Sequence, residues 1–232
     1  MNISLMADVP TPPSTFDGVT EAIAVLVLLL VFVMLRQALL HSQVRLYALQ
    51  SLAVSALAGV LASSEHASDL FVLAGLSFVL KVVVVPLVLL HLLREAEVDL
   101  AGSQRFGVAS AVLLGVGVSV FAFLAVGSVH IGGSGAKGLP VPALGAALAT
   151  VLVSFVLVMY RADVISQSIG FFSMENGVSV ASLVIAARMQ SILEVAFLFD
   201  LLVAGVAFGV IIRARHRRGA ALSAETLEQL RG

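Results

Sequence analysis

Long apolar runs follow one another along almost the whole chain, separated by short polar turns such as "SSEHASD", "HIGGSGAKGLP" and "YRAD". An α-helix rises ~1.5 Å per residue, so a run of about 20 residues crosses the ~30 Å hydrocarbon core of a bilayer. Seven runs meet that length, at about 18–40, 45–63, 69–93, 106–128, 140–160, 164–186 and 190–212. They are too long for the strands of an outer-membrane barrel and lack its period-two alternation. The pattern predicts an all-α integral membrane protein, a bundle of about seven transmembrane helices.

The turns then divide the chain. Residues 1–17 carry acids and prolines and no basic leader, which reads as an exposed N-terminal tail. Residues 18–128 make a four-helix N-terminal membrane part. The glycine-rich stretch 129–139 is the loosest connection and the expected boundary. Residues 140–212 make a three-helix part, and 213–232 a basic tail. In a seven-span arrangement Arg36, Arg45, Arg94, Arg105, Arg161, Arg213, Arg215, Arg217, Arg218 and Arg231 all fall on one side. Only Lys137 and Arg188 fall on the other. Cytoplasmic loops carry the excess of Lys and Arg, so the N-terminus is expected outside and the C-terminus in the cytoplasm. In a bacterial cell that membrane would be the inner (plasma) membrane.

Composition agrees with the pattern and removes other classes of function. The chain of 232 residues is 60% hydrophobic and 12% charged, about half the charge of a typical soluble domain. A soluble fold of this length has too little interior to hide so much apolar side chain, so the lipid bilayer is the expected solvent. With no cysteine, neither a disulfide framework nor a thiolate-ligated cluster can form. The five histidines are scattered, with no pair at helical metal-ligand spacing. No cofactor and no metal site is therefore expected. A net charge of −1 speaks against a nucleic-acid partner. No nucleophile–base constellation or phosphate loop suggests an enzyme acting on its own.

Against this background a few residues stand out because they are expensive. Lys81 interrupts the third run ("SFVLKVVVVP"), Glu175 and Asn176 the sixth ("SMENGVS"), and Glu194 and Asp200 the seventh ("ILEVAFLFD"). Counted inward from the span ends, Lys81, Glu175 and Asp200 share one level near mid-membrane. A charge there costs ~2.5–3.5 kcal/mol on insertion scales, so such groups face protein, water or one another. Poor solvation brings the neutral and charged forms of an acid or an amine closer in energy, which is what a proton relay needs. Mutual pairing works the other way and favours the charged forms. Pro86, without an N–H, should free the carbonyl of Val82 beside Lys81 and favour a kink. Glu194 is placed nearer the outer end, where it is either the mouth of a pathway or an interfacial carboxylate close to Arg188. Gln50 and Ser51, and Ser166, Gln167 and Ser168, can bridge helices or hold water.

The C-terminal third carries a resemblance. "LVMYRADVISQSIGFFSMENGVSVASL", followed by "LEVAFLFDLLVAGVAFGVIIRARHRR" and the terminal "LRG", resembles the three-helix K subunit of respiratory complex I. With the preceding spans, including "LK…P" in the third, the chain looks most like the longer hydrogenase-4 component E family of membrane-bound nickel–iron hydrogenase complexes. The resemblance implies a small non-catalytic subunit of a membrane-bound oxidoreductase complex. Its partners would be antiporter-like membrane subunits and a hydrogenase module, and its membrane carboxylates would contribute to proton translocation. Asp200 takes the place of the glutamate in the K subunit's last helix. Aligning Ile169 and Gly170 puts Phe172 where that subunit has its middle-helix glutamate, and Glu175 lies three residues further on, nearly one helical turn. Two other functions remain open at this point. One is a structural adaptor whose charges are only interhelical pairs. The other is a small subunit of a multisubunit sodium/proton antiporter, which the extra N-terminal spans disfavour.

Overall fold

The computed structural model describes residues 15–65, 68–96, 101, 104–128 and 140–186. Among them are six helices long and apolar enough to cross a membrane, and they coincide with the first six predicted runs. Helix α1 spans Thr15–Arg36, α2 Leu40–Glu65, α5 Val108–Ser128, α6 Val141–Tyr160 and α7 Val164–Ala186. The third span is continuous but not uniform. It consists of α3, Ser68–Phe78, then a π-helical turn, Val79–Val84, then α4, Val85–Ala96. The seventh predicted run, with Glu194 and Asp200, lies outside the described residues, as do the glycine-rich loop, the C-terminal tail and residues 1–14 of the N-terminal tail; Thr15, Phe16 and Asp17, expected in that tail, already belong to α1.

The helices form two rows. In one, α5 packs on α6 and α6 on α7. In the other, α1 packs on α2 and α2 on the α3–α4 span. The rows meet where α1 lies on α6 and α2 on α7. Lipid tails are as apolar as leucine, so membrane helices associate through close fit and hydrogen bonds, and small residues permit the closest fit. The central helix α6 shows this composition, burying Ala143, Gly145, Ala146, Ala147, Ala149 and Thr150 among others. Its partner α7 meets it with Gly170 and Gly177, seven residues or two turns apart. A Cβ on Gly177 would stand 3.0 Å from the backbone nitrogen of Val151 and 3.1 Å from the carbonyl oxygen of Ala147. Backbone cannot move aside, so only glycine allows this approach. The outermost helix α5 is the opposite case: Leu113, Phe121 and Leu124 project from the bundle, Leu113 with 72% of its surface free, as suits a lipid-facing side.

One end of the bundle is tied together by its loops. Ala101 N–H donates to Ala38 C=O at 2.8 Å, and Arg105 N–H to Tyr160 C=O at 3.0 Å. Gln104 pairs with Arg161 as an isolated antiparallel bridge. Asp163 caps α7, its Oδ1 accepting from the N–H of Ser166 at 2.7 Å. An N-cap acid satisfies one of the free N–H groups at a helix start, which explains why α7 begins directly after "YRAD". Exposed Arg36, Arg45, Arg94 and Arg105 sit at the helix ends and loops of this same end.

Candidate functional site

Three faces of α7 do three different things. Gly170 and Gly177 face α6, Ser173 and Asn176 face α2, and Glu175 and Ser179 face the α3–α4 span. Glu175 lies eleven residues from either end of α7, at the middle of the span. Its Oε1 stands 3.1 Å from Nζ of Lys81. The ammonium also donates to Oγ of Ser179, again at 3.1 Å. Lys81 is 2% exposed and Glu175 5%, so acid and amine are both withdrawn from the surface and set against each other. Two of the sequence-derived candidates, ninety-four positions apart in the chain, are therefore brought into direct contact.

The local backbone explains how Lys81 gets there. The π-helical turn closes with Val85 N–H bonded to the carbonyl of Leu80, an i→i−5 pairing. The next donor would be the N–H of residue 86, which proline lacks. The widened turn therefore runs up to the point where the hydrogen-bond ladder is interrupted. No side chain other than Lys81 is buried within the turn among the described residues. Such turns carry one residue more than an α-helix and recur at functional sites. Here the extra residue places an amine among the helices while α4 continues to bury Val85, Leu89 and Leu93.

On the neighbouring face the polar groups are neutral. Gln50 Oε1 accepts from Ser173 Oγ at 2.8 Å and from Asn176 Nδ2 at 3.3 Å, while its Nε2 donates to the carbonyl of Val27 on α1 at 3.1 Å. Asn176 Nδ2 also reaches Ser51 Oγ at 3.0 Å. All four side chains are buried. Asn176 thus belongs to a clasp joining α1, α2 and α7, not to the ion pair beside it. Phe172, at the position where the K-subunit resemblance would put a glutamate, packs against Tyr47 with ring centroids 5.6 Å apart. Of the other polar candidates, Gln167 Nε2 donates to the carbonyl of Arg161 at 2.9 Å, and Ser168 bonds back to Val164 C=O. Glu194 and Asp200 lie outside the described residues.

A second buried cation was not foreseen as one. Arg161, read from the sequence as a loop arginine, is 1% exposed. Its Nη2 donates to the carbonyls of Leu35 and Gln37 at the end of α1, and its guanidinium lies 4.8 Å from the Tyr160 ring centroid. Gln43 Nε2 joins it on Gln37 C=O at 2.6 Å. The C-terminal carbonyls of a helix are its negative end, so a fixed cation fits there. Ser173, Ser179 and the burial of Arg161 escaped the sequence reading. Ser179 carries a detectable signal, standing four residues after Glu175 and so on the same helix face; the direction in which Arg161 turns leaves none.

The acid and the amine, 3.1 Å apart, form a buried ion pair between α7 and the third span. Comparison with known proteins agrees with a membrane setting. Over 186 residues, 80% of this chain and 85% of the relative, 26% of positions are identical to hydrogenase-4 component E of Escherichia coli strain K12. The chain resembles hydrogenase-4 component E. The Shigella flexneri component E matches to the same extent. An uncharacterised protein of Mycobacterium tuberculosis is 26% identical over 193 residues, 83% of this chain and 86% of the relative. No family model matches, and neither does any solved structure. Similarity to component E runs through most of the chain, well beyond the C-terminal third in which the motifs are concentrated.

Proposed function

We propose that this chain is a non-catalytic membrane subunit of a hydrogenase-4-like energy-converting complex, and that Lys81 and Glu175 take part in its proton translocation. The buried ion pair at mid-membrane carries the reading, and similarity to hydrogenase-4 component E supports it. Asp200, at the same level in the seventh predicted run, is the next group along the path, and Glu194 its mouth. The arginine-bearing end faces the cytoplasm, the N-terminus lies outside, and the complex sits in the inner membrane. Antiporter-like subunits and a hydrogenase module are its partners. The four-helix part 18–128 supplies the amine, and the three-helix part 140–212 supplies the acids.

The deciding experiment replaces Glu175 with Gln and Asp200 with Asn together, purifies the whole complex and follows proton uptake by sealed vesicles during hydrogenase turnover. Assembly retained with proton movement lost is the expected result. Unchanged proton movement removes the role. Loss of the complex itself on native gels favours the second reading, a structural adaptor, which the same interhelical pair supports because it joins α7 to the third span.

A further inference from the structure

We infer that Arg161, Gln43 and Ser166 form a closed binding site for one water molecule at the arginine-bearing end of the bundle, apart from the Lys81–Glu175 pair. Arg161 and Gln43 each have one side-chain atom in use and another left over. Arg161 Nη2 donates to the carbonyls of Leu35 and Gln37, and Gln43 Nε2 donates to that of Gln37. Arg161 Nε, Gln43 Oε1 and Ser166 Oγ are buried and have no hydrogen-bond partner among the described residues. Two relations bring the three side chains together. Arg161 and Gln43 share the Gln37 carbonyl, so the guanidinium and the amide are neighbours. Gln43 and Ser166 are set opposite each other by helix register. The contacts Tyr47–Phe172, Gln50–Ser173 and Ser51–Asn176 climb together, so α2 and α7 run parallel. Gln43 and Ser166 each stand seven residues before the Gln50–Ser173 pair, nearly two full turns and so on the same two faces. The Gln50–Ser173 rung closes directly, at 2.8 Å; the Gln43–Ser166 rung leaves both oxygens unbonded.

The set of atoms selects the guest. A guanidinium N–H only donates and an amide oxygen only accepts, whereas a hydroxyl does both. An anion suits Arg161 but meets the lone pairs of Gln43. A metal cation suits Gln43 but meets the positive charge of Arg161. Water suits both: it accepts from Nε–H, donates to Oε1 and has a further bond for the Ser166 hydroxyl. That makes about three hydrogen bonds, as buried waters usually form. An unmade bond in such a place is costly, most of all on a charged side chain. The water ties the first turns of α2 and α7 to the Arg161 clamp at the end of α1.

A density map of the full chain in its complex, sharp enough to show ordered water, tests the site directly. A single peak is expected about 2.7–3.2 Å from Arg161 Nε, Gln43 Oε1 and Ser166 Oγ. A map with no peak there, or with a peak bonded to only one of the three, overturns the site. A peak that strengthens when chloride is exchanged for bromide is an anion and overturns it too. Ser166→Ala asks the same question through the sign of its effect. A hydroxyl bonded to water loses that bond on truncation, so the melting temperature of the full chain in detergent should fall by about 2–4 °C. Truncating a buried hydroxyl that bonds to nothing removes an unpaired polar group instead. A melting temperature unchanged or raised in Ser166→Ala therefore overturns the site. Should that variant fail to fold, the map of the unaltered chain still decides.

Discussion

Lys81 and Arg161 are both cations buried in an apolar bundle, and their surroundings differ in kind. Lys81 stands near mid-membrane against a carboxylate and a hydroxyl. Arg161 stands at the end of the bundle, held by the carbonyls of Leu35 and Gln37 and the ring of Tyr160. Arginine keeps its proton in any protein environment, whereas a lysine can lose it when poorly solvated. A group that never changes charge is well matched to fixed dipoles, which also never change. A group that can change charge is matched to an acid that can change with it. The difference separates a clamp from a candidate site, although burial alone would rank Arg161 first.

The largest expected effect comes from removing the acid of the pair and keeping the amine. Glu175→Ala takes the carboxylate from the Lys81 ammonium and should destabilise the protein by about 3–5 kcal/mol, read as loss of folded protein in detergent melts. The Lys81→Met, Glu175→Leu double variant removes both charges and should recover most of that stability while proton movement stays lost. If the double variant pumps, the pair is only glue and the contrast with Arg161 disappears. Next comes Arg161→Met, which takes the guanidinium from the Leu35 carbonyl and leaves the Gln37 carbonyl with Gln43 Nε2, at about 1–3 kcal/mol. Proton movement per assembled complex should be unchanged, because the clamp handles no proton; a specific loss of pumping there would merge the two cations into one class. Gly177→Ala should cost about 1–3 kcal/mol through overpacking against the Val151 and Ala147 backbone. It should also weaken the Lys81–Glu175 contact, measurable as a smaller coupling energy in the double-variant cycle. The smallest effect is that of Gln50→Leu, which unties the neutral clasp for about 1–2 kcal/mol and leaves the ion pair in place.

Much of this architecture was legible beforehand. Six runs of apolar residues became six helices at nearly the expected places, and the shared depth of Lys81 and Glu175 followed from counting residues in from the span ends. Three things were not. Glu175 and Asn176 are adjacent, so both read as one polar intrusion, yet 100° of helix rotation sends them to different neighbours. Pro86 announced a disturbed helix but not its form, a π-helical turn at Val79–Val84. Arg161 looked like every other loop arginine until its side chain was seen turned inward.

The division has a physical cause. Whether a stretch enters the bilayer depends on a sum of transfer energies over its own residues, and the side on which arginines collect depends on their order along the chain. Both are properties of the sequence by itself. Which groups meet depends on the rotation of each helix about its axis, and that is decided by fit between helices: Gly170 and Gly177 against α6, Gln50 against Ser173 and Asn176. Only the assembled bundle sets those angles, and with them the 3.1 Å contact between Lys81 and Glu175.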